Sequence, residues 1–120
     1  MRYLPGRNIV MFVPRKSGYI KYFPANVLPP TNITTINSVP LSYPIIFSVS
    51  PTEKFIGVGE KLSYFRIYSL TNLNLIFTTA VTGARGSCWN PDESIVYFTQ
   101  YNMSHSKYYK LNVSSFLIIG

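Results

Sequence analysis

A pattern of eleven residues occurs three times in this chain, and it constrains the fold more than any other feature. Residues 3–13 (YLPGRNIVMFV), 49–59 (VSPTEKFIGVG) and 89–99 (WNPDESIVYFT) align without a gap. Their starting points lie 46 and 40 residues apart, a spacing that is typical of repeat proteins. Because a repeat unit of this size buries its faces only against its neighbours, the sequence predicts units that stack.

Each copy of the pattern begins with a turn and continues as a strand. Pro5, Pro51 and Pro91 stand second in the three turns, where proline pre-sets the φ of a type I turn. Ser50 and Asn90 stand first, where a side-chain oxygen can accept a backbone hydrogen bond. The runs that follow, 8–13, 55–59 and 95–99, have apolar residues on both alternating faces, so we expect strands in sheets that are covered on both sides.

Further strand candidates recur in the same order in every unit. One group surrounds a central base and is expected at the wetter margin of the sheet: 19–23, 64–68 and 108–112, with Lys21, Arg66 and Lys110 in the middle. The other two groups are 33–37, 75–79 and 116–119, and, ahead of the turns, 1–3, 45–49 and 86–89. No apolar set recurs at helical spacing, and proline and glycine interrupt every long window. The predicted fold is all-β, with antiparallel four-stranded sheets in one domain and units of about 1–40, 41–80 and 81–120.

Two stretches carry a likeness to a known family. Residues 47–70 (FSVSPTEKFIGVGEKLSYFRIYSL) and 88–113 (CWNPDESIVYFTQYNMSHSKYYKLNV) place a Ser-Pro-Asp-Gly-like turn between strands and end in a Val-x-Ile-Tyr-Asp-Leu-like strand. This order resembles the WD-repeat type of β-propeller, and the resemblance implies a partial propeller of about three blades. The Trp-Asp dipeptide is replaced by Phe23-Pro24, Tyr68-Ser69 and Asn112-Val113. The buried polar network of strict WD repeats is therefore not expected here.

Three blades are fewer than the four to eight that close a propeller. The chain is then a segment of a longer polypeptide, half of a six-bladed ring made by two copies, or an open arc that other proteins cap. Residues 116–120 (FLIIG) end on an apolar strand without a polar cap. We expect partners that are protein subunits or further blades, in a homo-oligomer or a hetero-oligomer.

The composition limits the other classes of partner. Eleven Lys and Arg against four acids give a net charge of +7, but the bases are scattered and only Arg15 and Lys16 are adjacent, which does not favour nucleic-acid binding. Cys88 is the single cysteine, so no intrachain disulfide is possible, and its position beside Trp89 predicts a buried, inert thiol. No apolar stretch is long enough to span a membrane, and the N-terminus does not read as an export signal. The compartment is not indicated.

The residue types that carry catalysis are few. Glu53, Asp92 and Glu93 fall in the repeated turns, where we expect them to be solvated, and Glu60 is the fourth acid. A metal site needs three or four ligands, and His105 is the single histidine. No glycine-rich phosphate loop precedes a helix. The sequence predicts no catalytic residue, no metal site and no cofactor.

These observations favour a non-catalytic protein-interaction and assembly module. The candidate contact surface comprises the loops at 15–18, 60–63, 82–86 and 100–107, with Arg15, Lys16, Lys61, Arg85, His105 and Lys107 as candidate partner contacts. The Asn-, Ser-, Thr- and Tyr-rich, charge-poor composition resembles that of phage or virus particle components such as tail or fibre parts. The alternatives are a subunit or fragment of a cellular WD-type scaffold, a carbohydrate- or receptor-recognition propeller, and a propeller enzyme with its catalytic groups on other blades.

Overall fold

The computed structural model describes residues 1–14, 16–26, 32–38, 40–41, 45–60, 64–81, 84–101 and 106–119. For Ala84, Arg85, Tyr101 and Ser106 the description covers the backbone only. Within these ranges the chain forms twelve strands and no helix.

The strands form three antiparallel sheets of four, each hydrogen-bonded in the order of the sequence. The first sheet holds β1 (Arg2–Leu4), β2 (Ile9–Phe12), β3 (Lys21–Pro24) and β4 (Thr34–Thr35). The second holds β5 (Ile45–Val49), β6 (Phe55–Glu60), β7 (Tyr64–Ser69) and β8 (Leu75–Ala80). The third holds β9 (Ala84–Trp89), β10 (Ile95–Tyr101), β11 (Ser106–Asn112) and β12 (Leu117–Ile119). The prediction of an all-β fold with three four-stranded, blade-like sheets is confirmed.

Some predicted loops are strand instead. The segment 100–107 was expected to be a hydrophilic loop, but β10 continues through Tyr101 and β11 begins at Ser106. Arg85 was expected in the loop at 82–86, but its backbone lies in β9. Glu60 was expected to open a loop, yet it closes β6 and is buried. The strands extend beyond the apolar residues because polar residues near a strand end still pair their backbones.

The repeated turns form as predicted, with one addition. The N–H of Glu53 donates to the carbonyl of Ser50 at 2.8 Å, and that of Glu93 donates to the carbonyl of Asn90 at 2.9 Å. Both glutamates have positive φ, 62° and 63°, where glycine or asparagine is the usual residue. A glutamate held in this region, at a cost of about 1 kcal/mol, suggests that its side chain has a structural use.

In the third sheet, the register of β11 differs by one residue from the alignment of the three repeats in the sequence. Lys21 pairs with Phe12 and Arg66 with Val58, but the residue that pairs with the equivalent Phe98 is Tyr109. Tyr109 is therefore the counterpart of Arg66. Lys110, which the sequence aligned with Arg66, lies on the opposite side of its sheet because side chains alternate along a strand.

Apolar side chains between the sheets form two clusters. The first joins the first and second sheets through Met11, Ile20, Ile56 and Val58, all of them fully buried. The second joins the second and third sheets and contains, among others, Phe65, Ile67, Val96, Phe98 and Leu111. The three sheets therefore stack face to face, and the middle sheet is covered on both sides.

The short fourth strand of the first sheet is extended by a side chain. The Asn37 Oδ1 accepts from the N–H of Ile20 at 2.8 Å, and its amide group donates to the carbonyl of Gly18 at 2.8 Å. The N–H of Leu41 also donates to the Gly18 carbonyl at 2.8 Å. This close approach requires glycine, since a Cβ at residue 18 would lie 2.5 Å from the Leu41 carbonyl oxygen.

Candidate protein-interaction faces

The stacking order gives each sheet two faces that can be compared from unit to unit. We call the side toward the preceding sheet the front face and the side toward the following sheet the back face. The front face of the second sheet presents Ile56 and Val58 to the first sheet, and its back face presents Phe65 and Ile67 to the third. The strand pairings then identify equivalent positions on all three sheets.

Aromatic stacking holds the second and third sheets together. Phe65 on the back face of the second sheet stacks on Phe98 of the third, with ring centroids 4.2 Å apart and planes within 6°. Phe55 stacks on Trp89 in the same way at 5.9 Å. Phe77 and Phe116 form a further stacked pair at 5.4 Å. Such pairs add about 0.5–1.5 kcal/mol each beyond the area that they bury.

The inner strands of these two sheets are joined by polar contacts. The indole N–H of Trp89 donates to the Ser48 Oγ at 3.1 Å, and the hydroxyl groups of Ser48 and Ser87 contact each other. The buried end of the tryptophan is therefore satisfied, as an indole in an interface normally is.

Two glutamates connect the turns of successive sheets. The Glu53 carboxylate of the second sheet accepts from the N–H groups of Gly6 and Arg7 in the first, at 2.9 and 3.0 Å. The Glu93 carboxylate of the third sheet accepts from the N–H and the hydroxyl of Thr52 in the second, at 2.8 and 2.7 Å. The same position in each later turn thus caps the turn before it. This finding corrects the expectation that these acids are merely solvated.

In the turn of the third sheet, hydrogen bonds lower the pKa values of Asp92 and Glu93. Burial raises the pKa of Glu93, but hydrogen bonds from Ser50 and Thr52, with Lys54 nearby, outweigh it and leave the pKa below its ordinary value of 4.5. The backbone N–H and then the hydroxyl of Ser94 lower the pKa of Asp92 below 3.8. Both groups therefore contribute to folding as carboxylates.

A buried polar pair joins the second and third strands of two sheets. The Glu60 carboxylate accepts from the Arg66 Nε at 2.7 Å, and both side chains are largely shielded from solvent. At the equivalent place in the third sheet the Tyr109 hydroxyl donates to the Gln100 Oε1 at 2.7 Å. Burial raises the pKa of the neighbouring Tyr68 above 10.0, an effect that Arg66 opposes. The Glu60–Arg66 pair is a buried polar contact of a different kind from the network of strict WD repeats, which was not expected here.

The back face of the third sheet has no neighbour in the described chain. Tyr108 is 68% exposed, although its equivalent Phe65 on the second sheet is 1% exposed. Leu117 on the outer strand of the same face is 67% exposed, and Ile119 is exposed as well. This face therefore exposes apolar side chains at positions that the other two back faces bury.

The front face of the first sheet is open in the same way. Tyr3 is 53% exposed, and Val10, Phe12 and Phe23 are only half-buried. The rings of Phe12 and Phe23 contact each other at 5.6 Å. Val58, the equivalent of Phe12 on the second sheet, is fully buried. The stack thus ends in an apolar face on either side.

Cys88 lies in β9 and is exposed, which contradicts the prediction of a buried thiol. The prediction rested on the position of Cys88 beside Trp89 at the start of an apolar segment. Because neighbouring residues of a strand point to opposite faces, Trp89 faces the second sheet and Cys88 faces outward on the open back face.

The candidate partner contacts of the sequence are only partly described. Lys16 follows β2, is exposed and has a φ of 59°, whereas Lys107 is exposed near the start of β11 in a different sheet. The backbone of Arg85 lies in β9. Arg15, Lys61 and His105 lie outside the described residues. The role of all six in binding stays a prediction. The sequence pointed to the apolar strand at 116–119, but it missed the exposed Tyr3 and Tyr108, whose places on the end faces became visible only through the register.

Shallow cavities open between the sheets. One of about 400 Å³ is lined by Met1, Arg2, Ile45, Ile46 and Phe47, and another of about 250 Å³ by Arg7, Ile9, Tyr22 and Leu70.

The described ranges contain neither a cluster of metal-ligating side chains nor a helix that could span a membrane. No group of three His, Cys, Asp or Glu side chains there could hold a metal ion. No helix in that part of the chain is long and apolar enough to cross a membrane.

Comparison with known proteins bears on the fold alone. No protein-family model matches the sequence, and no curated protein matches it. A solved structure, "Dihydro-heme d1 dehydrogenase NirN in complex with DHE", superposes on the whole chain with a TM-score of 0.70 and 14% sequence identity. That protein is a β-propeller, and this chain spans 25% of its length. The likeness agrees with three propeller blades.

Proposed function

We propose that the chain is a non-catalytic protein-interaction and assembly module, whose contact surfaces are the front face of the first sheet and the back face of the third. The observation that carries this proposal is the exposure of Tyr108 at a position where Phe65 is buried. Rigid sheets that end in apolar faces are suited to docking, because such faces cost free energy in water and gain it against a complementary surface. The blades are of WD-like type in this proposal, although the WD dipeptide is lacking.

The positions of the acids support a role without catalysis. Glu53 and Glu93 cap turns, Glu60 pairs with Arg66, and Asp92 accepts from Ser94 within its own turn. Each of the four acids of the chain therefore has a structural partner.

The setting that fits best is a large assembly such as a phage or virus particle, in which neighbours cover the end faces. A cellular scaffold built from further blades is the alternative. Both rest on composition and on the open faces of the stack.

A solution experiment tests the proposal. Sedimentation velocity of the purified chain across a wide concentration range should show association, and Leu117→Glu on the open back face should suppress it. Leu75→Glu is the matched control, because Leu75 is an exposed leucine on the outer strand of the middle sheet. A chain that stays a cooperatively folded 13.7 kDa monomer at every concentration would contradict the proposal.

A further inference from the structure

We propose that the partner of the open back face is a second copy of this chain, which docks the front face of its first sheet there. Two such contacts place six sheets around a twofold axis. The inference rests on the proposed function and goes further by naming the occupant and the residue pairs.

The covered interfaces show which positions meet. Phe65 of one sheet meets Phe98 of the next, and between the first two sheets the same positions are held by Ile20 and Val58, both fully buried. In the proposed contact the equivalent of Phe65 is Tyr108, and the equivalent of Phe98 is Phe12 of the second copy. Tyr108 and Phe12 would therefore form an aromatic pair at the position where Phe65 and Phe98 stack within the chain.

A second position pair gives the same result. Phe55 stacks on Trp89 between the second and third sheets. The register makes Ile95 the equivalent of Phe55, and Tyr3 the equivalent of Trp89. Ile95 is half-buried and Tyr3 is exposed, so each gains burial when they meet.

The turns bring opposite charges together. At both covered interfaces the fourth residue of the later turn, Glu53 or Glu93, caps the third residue of the earlier turn, Gly6 or Thr52. In the proposed contact the later turn supplies Arg7 and the earlier turn supplies Asp92. Arg7 bonds the Glu53 carbonyl at 2.9 Å through Nε, and a guanidinium has further N–H groups for a carboxylate.

The two lysines of the end faces have a route to solvent. Lys110 is equivalent to Tyr22, which lines the 250 Å³ cavity between the first two sheets. Lys21 is equivalent to Arg66, which lines a separate cavity of about 230 Å³. Long cationic side chains at such openings pack their stems and keep their charge in water.

The count of sheets is compatible with a closed ring. Two copies of three sheets give six, and propellers close with four to eight. Because each contact joins a front face to a back face, two contacts related by a twofold axis leave no end face open.

Two variants, each with one blocked face, test the geometry. Tyr3→Glu blocks the front face and Leu117→Glu the back face, and both residues are exposed enough for the monomer to tolerate a charge. Wild type should sediment as two copies, and each variant alone as one copy. An equimolar mixture should return to two copies, because the intact back face of one variant meets the intact front face of the other. Lysine versions of both variants control for the sign of the charge, and Leu75→Glu should behave as wild type.

The accessibility of Cys88 gives an independent measurement, since this thiol lies on the back face. A maleimide should modify Cys88 slowly in wild type at high concentration and rapidly in Leu117→Glu. Self-association by Tyr3→Glu alone would overturn the head-to-tail contact while leaving the proposed function intact, whereas self-association by Leu117→Glu alone would count against both. Particles larger than two copies would overturn the six-sheet ring. A wild-type chain that is monomeric throughout would overturn both proposals.

Discussion

The Glu93 carboxylate receives both the backbone N–H and the hydroxyl of Thr52, at 2.8 and 2.7 Å, and so ties the turn of the third sheet to that of the second. Glu53 makes the corresponding contact with the first sheet. These bonds fix how far one sheet is shifted along its neighbour. Apolar packing alone specifies that position less strictly, because it is not directional.

The Glu93 contact should be measurable by a double-mutant cycle. Glu93→Gln should lower the free energy of unfolding by about 1 kcal/mol, since bonds to a carboxylate contribute about 1.5–3 kcal/mol and partial exposure reduces this. Thr52→Ala in the Glu93→Gln background should cost less than Thr52→Ala in wild type. Urea unfolding measures all four proteins, and strict additivity of the two losses would contradict the contact.

The positive φ of the same residue gives a separate comparison. Glu93→Gly removes both the hydrogen bonds and the backbone cost of about 1 kcal/mol. It should therefore be more stable than Glu93→Gln. A glycine variant that is less stable than the glutamine variant would show that the φ of 63° carries no such cost.

The lowered pKa values of Asp92 and Glu93 predict acid sensitivity. A carboxyl group whose pKa is lower in the folded chain stabilises it fully above the unfolded value, and the stabilisation is lost as the pH falls through the folded value. The urea concentration at the unfolding midpoint should therefore decrease as the pH is lowered below about 4.5, the ordinary pKa of Glu93. The midpoint of Glu93→Gln should decrease less steeply with falling pH. This difference separates the contribution of the Glu93 carboxylate from general charge repulsion in a chain of net charge +7. Equal slopes for both proteins would contradict it.

The repeat itself could be predicted because a proline turn followed by an apolar strand leaves a local signal. The turn at 50–53 and the strands β5, β6 and β10 begin where the sequence placed them. The register of β11 could not be predicted in this way. The sequence aligned Lys110 with Arg66 because each is a base beside aromatic residues, and only the pairing with β10 shows that Tyr109 is the counterpart of Arg66.

The use of the turn acids was also beyond the sequence. Glu53 and Glu93 are separated from the residues that they cap by 47 and 41 positions in the chain. Nothing local distinguishes a solvated turn glutamate from one that reaches a neighbouring sheet. The same limit applied to Cys88, because the side of β9 that is covered depends on which sheet packs against it.

Gly18 should not tolerate a side chain. A Cβ there would lie 2.5 Å from a backbone oxygen of Leu41, so Gly18→Ala should destabilise the chain by about 1–3 kcal/mol through overpacking. Gly86→Ala is the matched control, since a Cβ at Gly86 would meet nothing within 4 Å. Thermal unfolding of the two variants should differ clearly, and equal melting temperatures would contradict the close approach of Gly18 to Leu41.

Arg66 and Lys110, which the sequence aligned as equivalent bases, should respond differently to the same substitution. Arg66→Met removes the charged hydrogen bond to the Glu60 carboxylate, whose side chain is 3% exposed, and should cost about 1.5–3 kcal/mol. Lys110→Met lies on the open back face and should change the free energy of unfolding by less than about 0.5 kcal/mol. Urea unfolding at a concentration low enough to keep the chain monomeric measures both. Similar losses would favour the alignment of the sequence over the strand register.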